Sequence, residues 1–189
     1  LVFVRVRRAV ARQGNRERIL EAARHVLQTS GVTALTFDAI ASIAEVTRAG
    51  VIYHFPSRSQ LILALHEHLA TRFEDRLEEE LGRGHGRASE GERLRAYIRA
   101  CAGITSRAEL LFMLDGATDP EASTIWSELH ARWVPSAEAI EAGPARLRAF
   151  LVRLAADGLW MYEASTGESL TPAQRRTAAD ALTDLLADP

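Results

Sequence analysis

The sequence has one cysteine, no lysine and no long apolar run. Cys101 alone can close no internal disulfide and supply no thiolate metal cluster. Nothing therefore points to secretion, and a reducing cytoplasm is the expected setting. The apolar stretches carry charges at helical spacing, and none approaches the roughly 18 uninterrupted apolar residues of a membrane span, so no membrane partner is expected. The opening residues Leu1–Val10 set arginines on the wrong side of a short apolar run and offer no small-residue cleavage site, which makes a poor signal peptide. They read as the remainder of an upstream sequence or as an arm that orders only on a partner. All 23 basic residues are arginine. This points to a GC-rich genome and carries no chemistry.

What is present is ordinary globular material. A chain of 189 residues suits one large or two small domains with ample core. The net charge of −2 hides an asymmetry. Residues 1–58 hold nine arginines against Glu17, Glu21, Asp38 and Glu45, a net of +5, whereas the remainder holds fourteen arginines against twenty-one acids, a net of −7. A basic head on an acidic body suggests a polyanion at the head only. A chance split of charge is the alternative.

Helical periodicity runs throughout, with no sustained alternation beyond Leu1–Arg7. Ile19, Ala22, Ala23, Val26 and Leu27 form one stripe of a first helix, with Asn15 as a plausible N-cap and Gly31 as its stop. Thr36 is placed to cap a short second helix to about Ala44, and Thr47 a third ending near Phe55. Pro56 and Ser57 then break and recap the chain. A long fourth helix is expected over 57–81, with Leu61, Leu65, Leu69, Phe73, Leu77 and Leu81 on its buried side. Residues 82–86 (GRGHG) lack the strand and the Lys-Ser/Thr of a phosphate loop and read as a mobile linker. Further helices are expected at about 89–105, 107–115, 120–141, 144–164 and 172–187. Pro120, Pro144 and Pro172 mark first turns, and Pro135 kinks or splits the helix that holds it. The fold class is all-α.

Residues 36–55 are the most informative. Two helices of two turns each flank a tight turn near Ala44–Thr47, and helices that short must be propped on neighbours. A short, propped helix with a capped, exposed N-terminus is the shape that enters a major groove. The text Arg18-Ile19-Leu20, Ala22-Ala23, Gly31, Leu35-Thr36, Ile40-Ala41, Ala44, Val46-Thr47, Tyr53-His54-Phe55-Pro56-Ser57-Arg58 and Leu61 resembles the tetracycline-repressor (TetR) family. The likeness covers about residues 15–65. It implies a three-helix helix-turn-helix DNA-binding domain, placed at 15–58 behind the basic arm of 1–14, and an effector-binding and dimerisation domain at 59–189. It also implies a homodimer on a palindromic double-stranded DNA operator, released when a small effector moves the fourth helix and spreads the heads. Two residues depart from the family pattern. Glu45 stands in the turn where glycine is usual, at a cost of roughly 1–2 kcal/mol if left-handed. Gly50 sits inside the recognition helix, either to let backbone approach DNA or simply tolerated.

Contact candidates follow from chemistry and resemblance together. Arg48 is the only basic side chain of 47–55 besides His54, and its guanidinium can fork onto guanine O6 and N7; a phosphate or solvent role is the alternative. Thr47 caps its helix, binds phosphate, or does both. Tyr53 and His54 resemble the family's backbone-contacting pair, with packing as the plainer reading of the histidine. Arg58 suits phosphate. Thr36 caps and can touch phosphate, while Phe37 suits the core. Arg5, Arg7, Arg8 and Arg12 either follow a minor groove or stay free.

For the body, Tyr97, Cys101, Phe112, Met113, Trp126, His130, Trp133, Asp157, Trp160, Met161 and Tyr162 suit an adaptable pocket for a small, mostly apolar effector, with ordinary core packing as the alternative for each. Asp157 interrupts an apolar run and is a ligand anchor, an interface partner or an exposed residue. A two-fold dimer is expected from Leu147, Phe150, Leu151, Leu154 and Leu159 with Ala178, Leu182 and Leu185, Gly158 allowing close approach. No catalytic set, metal site or cofactor is expected. His66 and His68, two apart on a helix, point different ways, and Asp115 and Asp119 suit helix caps. The rival readings are a DNA-binding protein without an effector and, more remotely, an all-helical enzyme.

Overall fold

Several helix starts in this chain are held by the side chain of the capping residue. Thr36 Oγ1 accepts from Ala39 N at 3.2 Å, Thr47 Oγ1 from Gly50 N at 3.0 Å, and Thr171 Oγ1 from Gln174 N at 3.2 Å. Asp119 Oδ1 accepts from Glu121 N and Ala122 N at 2.9 and 3.1 Å. Each bond satisfies a first-turn N–H that has no intrahelical acceptor. The computed structural model describes the backbone of residues 2–103 and 106–186 and the side chains of 14–103 and 106–186. Its described residues form nine α-helices and no strand: α1 Val2–Ser30, α2 Phe37–Ile43, α3 Arg48–His54, α4 Arg58–Leu81, α5 Glu90–Gly103, α6 Arg107–Gly116, α7 Pro120–Trp133, α8 Pro144–Thr166 and α9 Pro172–Asp184. They fall into two compact units, Leu1–Leu69 and Ala70–Pro189, with the division inside α4.

In the first unit, α1 packs on α2 and α2 on α3. Ile19, Ala23 and Leu27 of α1, Ile40 of α2, Val51 of α3 and Leu65 of α4 are fully buried. These are the positions that helical periodicity assigned to the core. The first helix differs from expectation. It runs back to Val2, so Asn15 lies inside it and is not its N-cap. Residues 2–13 contain no glycine or proline, and Gly14 costs only about 1 kcal/mol in a helix interior. The arginine side chains at 5, 7, 8 and 12 lie outside the described residues.

The turn between α2 and α3 is closed by Val46 N donating to Ala41 O at 3.0 Å. Glu45 has φ +52°, the one described non-glycine residue in the left-handed region, and its side chain is exposed. A Glu45→Gly variant removes the steric cost of a Cβ there and gives up no buried packing. It is expected to stabilise the protein by about 1 kcal/mol, since the left-handed penalty outweighs the extra chain entropy of glycine. A urea melt with an unchanged or lower midpoint would contradict this.

A second brace of this unit was not foreseen. His68 of α4 is buried, with Nε2 2.9 Å from Glu21 Oε1 and Nδ1 3.5 Å from Glu17 Oε1. These three side chains are the one group among the described residues whose metal-capable atoms all lie within 4.8 Å of one another. Both ring nitrogens already face carboxylates of α1, so the arrangement works as a polar clamp between α1 and the first turns of α4.

In the second unit α5 is central, packing against α7, α8 and α9 and burying Leu94, Tyr97, Ile98 and Cys101. Its start is a reciprocal cap. Ser89 N donates to Glu92 Oε2 at 2.8 Å, and Glu92 N donates to Ser89 Oγ at 3.3 Å. These bonds and Arg83 hold the Glu92 carboxyl down at about 2. The expected helix over 120–141 is split, as Pro135 required. α7 ends at Trp133, Val134 is extended, and a 3-10 turn Ala137–Ile140 follows. The glycine-rich stretch after α4 has local structure of its own. Gly82 takes φ +73°, His85–Arg87 form a 3-10 turn, and the His85 ring lies 5.5 Å from that of Trp133. Asp119 caps α7 as expected, whereas Asp115 lies within α6. Arg175 forks onto both oxygens of Glu163 at 2.7 Å, tying α9 to α8. No helix among the described residues is long and apolar enough to cross a membrane.

Candidate nucleic-acid interface and interior site

The caps of α2 and α3 determine what the head presents. Thr36 and Thr47 are both exposed, and each spends an oxygen lone pair on its own helix. A hydroxyl that accepts in this way keeps its O–H, so each threonine can still donate outward. Arg48 opens α3 with 62% of its side chain exposed, and its Nε lies 3.7 Å from Asp38 Oδ1. An ion pair this long and this exposed is a weak tether, worth about 0–1 kcal/mol. Tyr53 is 64% exposed and meets His54 edge-on at 5.3 Å. Arg58 Nη2 reaches the Val32 carbonyl at 3.5 Å, and Phe37 is half-buried. At Gly50, an added Cβ would meet Thr47 Oγ1 at 3.4 Å and Val46 Cβ at 3.7 Å, ordinary contacts. Packing within the head therefore does not require glycine there.

In the body, the candidate residues divide. Tyr97 of α5 donates its hydroxyl to Asp157 Oδ1 of α8 at 2.6 Å and meets the His130 ring of α7 edge-on at 6.2 Å. Cys101 is buried one turn along α5 from Tyr97. Burial pushes the Tyr97 phenol and the Cys101 thiol well up, and burial and then the Arg153 charge push His130 down. All three are neutral near pH 7. Trp133 is a scaffold residue, donating Nε1 to Glu74 Oε1 at 3.0 Å, and Glu74 is also forked by Arg132 at 2.9 and 2.7 Å. Those bonds, the Arg132 fork foremost, lower the Glu74 carboxyl below its usual range. Phe112 and Trp126 are buried on α6 and α7, Met113 is half-buried, and Met161 is 46% exposed on α8.

Sequence reading missed two members of this interior group. Phe73 meets Tyr97 edge-on at 5.8 Å and stacks on Trp160 at 6.4 Å. Arg153 Nε stands 3.6 Å from Asp157 Oδ2, one turn away. An arginine four residues before a lone aspartate in an apolar helix was the available signal.

The outer side of α8 and α9 is apolar and uncovered. Leu151, Leu154, Met161 and Leu185 are 54%, 48%, 46% and 56% exposed. Leu147, Phe150, Leu159, Ala178 and Leu182 are half-buried, so none of the eight apolar residues expected at an interface is buried within the chain. A groove of about 420 Å³ runs between the two helices, lined by Leu151, Val152, Leu182 and Leu185 among others. A Cβ at Gly158 would meet nothing within 4 Å.

Comparison with known proteins agrees with this architecture. Residues 19–65 match the family described as bacterial regulatory proteins, tetR family, and residues 91–187 match the tetracyclin repressor-like C-terminal domain. A TetR-family transcriptional regulator from Rhodococcus sp. superposes with a TM-score of 0.68 at 17% identity, over 92% of this chain and 98% of that one. One from Mesorhizobium loti gives 0.68 at 16% identity, over 93% and 96%. The multidrug binding protein EbrR, complexed with malachite green, gives 0.61 at 21% identity, over 92% and 98%. No curated protein matches the sequence significantly. A capped helix-turn-helix ahead of an all-helical body is the architecture of a DNA-binding transcriptional regulator. The chain belongs to the TetR family.

Proposed function

We propose that this regulator is a homodimeric repressor that reads a palindromic operator and is released by a small effector held in its body. The observation that carries the reading is the exposed side of the head, where Thr36, Thr47, Arg48, Tyr53 and Arg58 remain accessible while the same short helices bury Ile40 and Val51. In this reading Arg48 contacts a base, and Thr36, Thr47, Tyr53, His54 and Arg58 contact the phosphate backbone. The uncovered apolar side of α8 and α9 supports pairing about a two-fold, and the interior group around Tyr97 and Asp157 supports an effector site. The structurally similar EbrR is a multidrug binding protein seen in complex with malachite green, which favours a ligand-bearing body here. Effector and operator need be coupled by only about 1–3 kcal/mol.

The phosphate assignments have their own test. Arg58→Ala is expected to weaken all DNA sequences alike and to reduce the slope of log affinity against log salt by about 0.9 for each phosphate no longer neutralised. His54→Ala should likewise weaken all sequences alike. Fluorescence anisotropy across a salt series reads both. A change in sequence preference with an unchanged slope would place these residues at bases instead.

A further inference from the structure

The polar groups inside the body bear on the kind of molecule it takes, given the reading that it holds an effector. Arg153, Asp157 and Trp160 stand at i, i+4 and i+7 on α8, so they form one stripe of that helix. Asp157 is committed. One oxygen accepts from the Tyr97 hydroxyl at 2.6 Å and the other faces Arg153. Arg153 donates Nη1 to the Pro135 carbonyl at 2.6 Å. Arg153 Nε and Trp160 Nε1 are further donors of this stripe. Both are shielded from solvent, and neither meets an acceptor among the described residues. The Arg153 Nε to Asp157 separation of 3.6 Å is an ion pair but is too long for a hydrogen bond. Buried donors are almost always bonded, so two on one stripe call for an acceptor from elsewhere.

The surroundings restrict what brings that acceptor. Trp160 stacks on Phe73 at 29° between planes, Phe73 is edge-on to Tyr97, and Tyr97 is edge-on to His130, which makes an aromatic wall. Flat rings pack well on such a wall. The charges of Arg153 and Asp157 offset each other, and Tyr97, Cys101 and His130 are neutral. A cation would find the Asp157 carboxylate already engaged by a phenol and a guanidinium. An anion would have to lie beside that carboxylate, which sits between the two donors along the helix. Asp157 keeps 31% of its side chain exposed, so the stripe is not sealed.

We infer that the body takes an uncharged, planar aromatic molecule carrying a carbonyl or similar acceptor oxygen that accepts from Trp160 Nε1. The test is a ring-matched series measured by calorimetry on the full chain: xanthone, carbonyl-free xanthene, acridine-9-carboxylate as the anion and 9-aminoacridine as the cation. Xanthone is expected to bind about tenfold more tightly than each of the others, the worth of one well-made buried hydrogen bond. Trp160→Phe keeps a ring on the wall and deletes the N–H, and should bring the preference for xanthone over xanthene down toward one. Tightest binding by either charged compound would overturn the inference. So would equal binding of xanthone and xanthene that Trp160→Phe does not alter, which would mean that Trp160 Nε1 serves buried water only and would leave an apolar effector standing. Binding of none of the four, by a protein that still binds its operator, would overturn the inference and the effector reading together.

Discussion

A Leu154→Glu variant is expected to run as a monomer at micromolar concentration and to bind operator at least about a thousandfold more weakly. Leu154 is 48% exposed at the middle of α8, with Leu151 and Met161 one and two turns away on the same apolar side and Leu185 of α9 exposed as well. Burying a leucine contributes about 1.5–3 kcal/mol, and a two-fold interface carries each substitution twice. The variant also places an unpaired carboxylate in the apolar contact, a further cost of several kcal/mol per ion if it stays charged. The sum exceeds the roughly 4 kcal/mol that a thousandfold loss requires. Within the isolated chain the substitution faces solvent, so circular dichroism and melting of the monomer should show a folded protein. Light scattering that still gives twice the chain mass would move the interface away from α8.

Arg48→Ala is expected to lower operator affinity by about 2–6 kcal/mol for a dimer, because each half-site is deprived of a base interaction worth about 1–3 kcal/mol. The loss should be confined to cognate DNA, with discrimination relaxed at one position in each half-site and non-specific binding reduced only slightly. The geometry favours this outcome. Arg48 is the first residue of α3, is held among the described residues by a long, exposed ion pair to Asp38, and stands next to a glycine-containing turn of helix that packing does not explain. Competition against operators altered one base pair at a time reads the effect. Uniform weakening across all of them would make Arg48 a phosphate ligand.

The short-range grammar of the chain was legible because it is written in residues with one dominant use. Thr36, Thr47 and Asp119 cap where their side-chain chemistry says they should, and Pro135 ends α7 because the residue before a proline is pushed out of the helical region. The strain at Glu45 followed from its place in a two-helix turn. What could not be read was pairing over long sequence distance. His68 and Glu21 are 47 residues apart and Tyr97 and Asp157 are 60 apart, and only packing brings them together. The aromatic candidates divided for the same reason. Trp133 found Glu74 while Tyr97 found Asp157, and no spacing rule separates a scaffold tryptophan from a wall of the interior site. Met161 is 46% exposed on α8, which its apolar chemistry alone did not indicate. The start of α1 was misplaced because Asn15 and Gly14 imitate a helix boundary inside a continuous helix.

The central claim is that two copies of this head read an inverted repeat. Selection of bound sites from a random-sequence DNA pool, at physiological salt and with the unmodified chain, tests it directly. Enrichment of an inverted repeat is expected, with half-site centres about one helical turn, roughly 34–36 Å, or a multiple of it apart. A single unrepeated motif, or no enrichment over the starting pool, would contradict it.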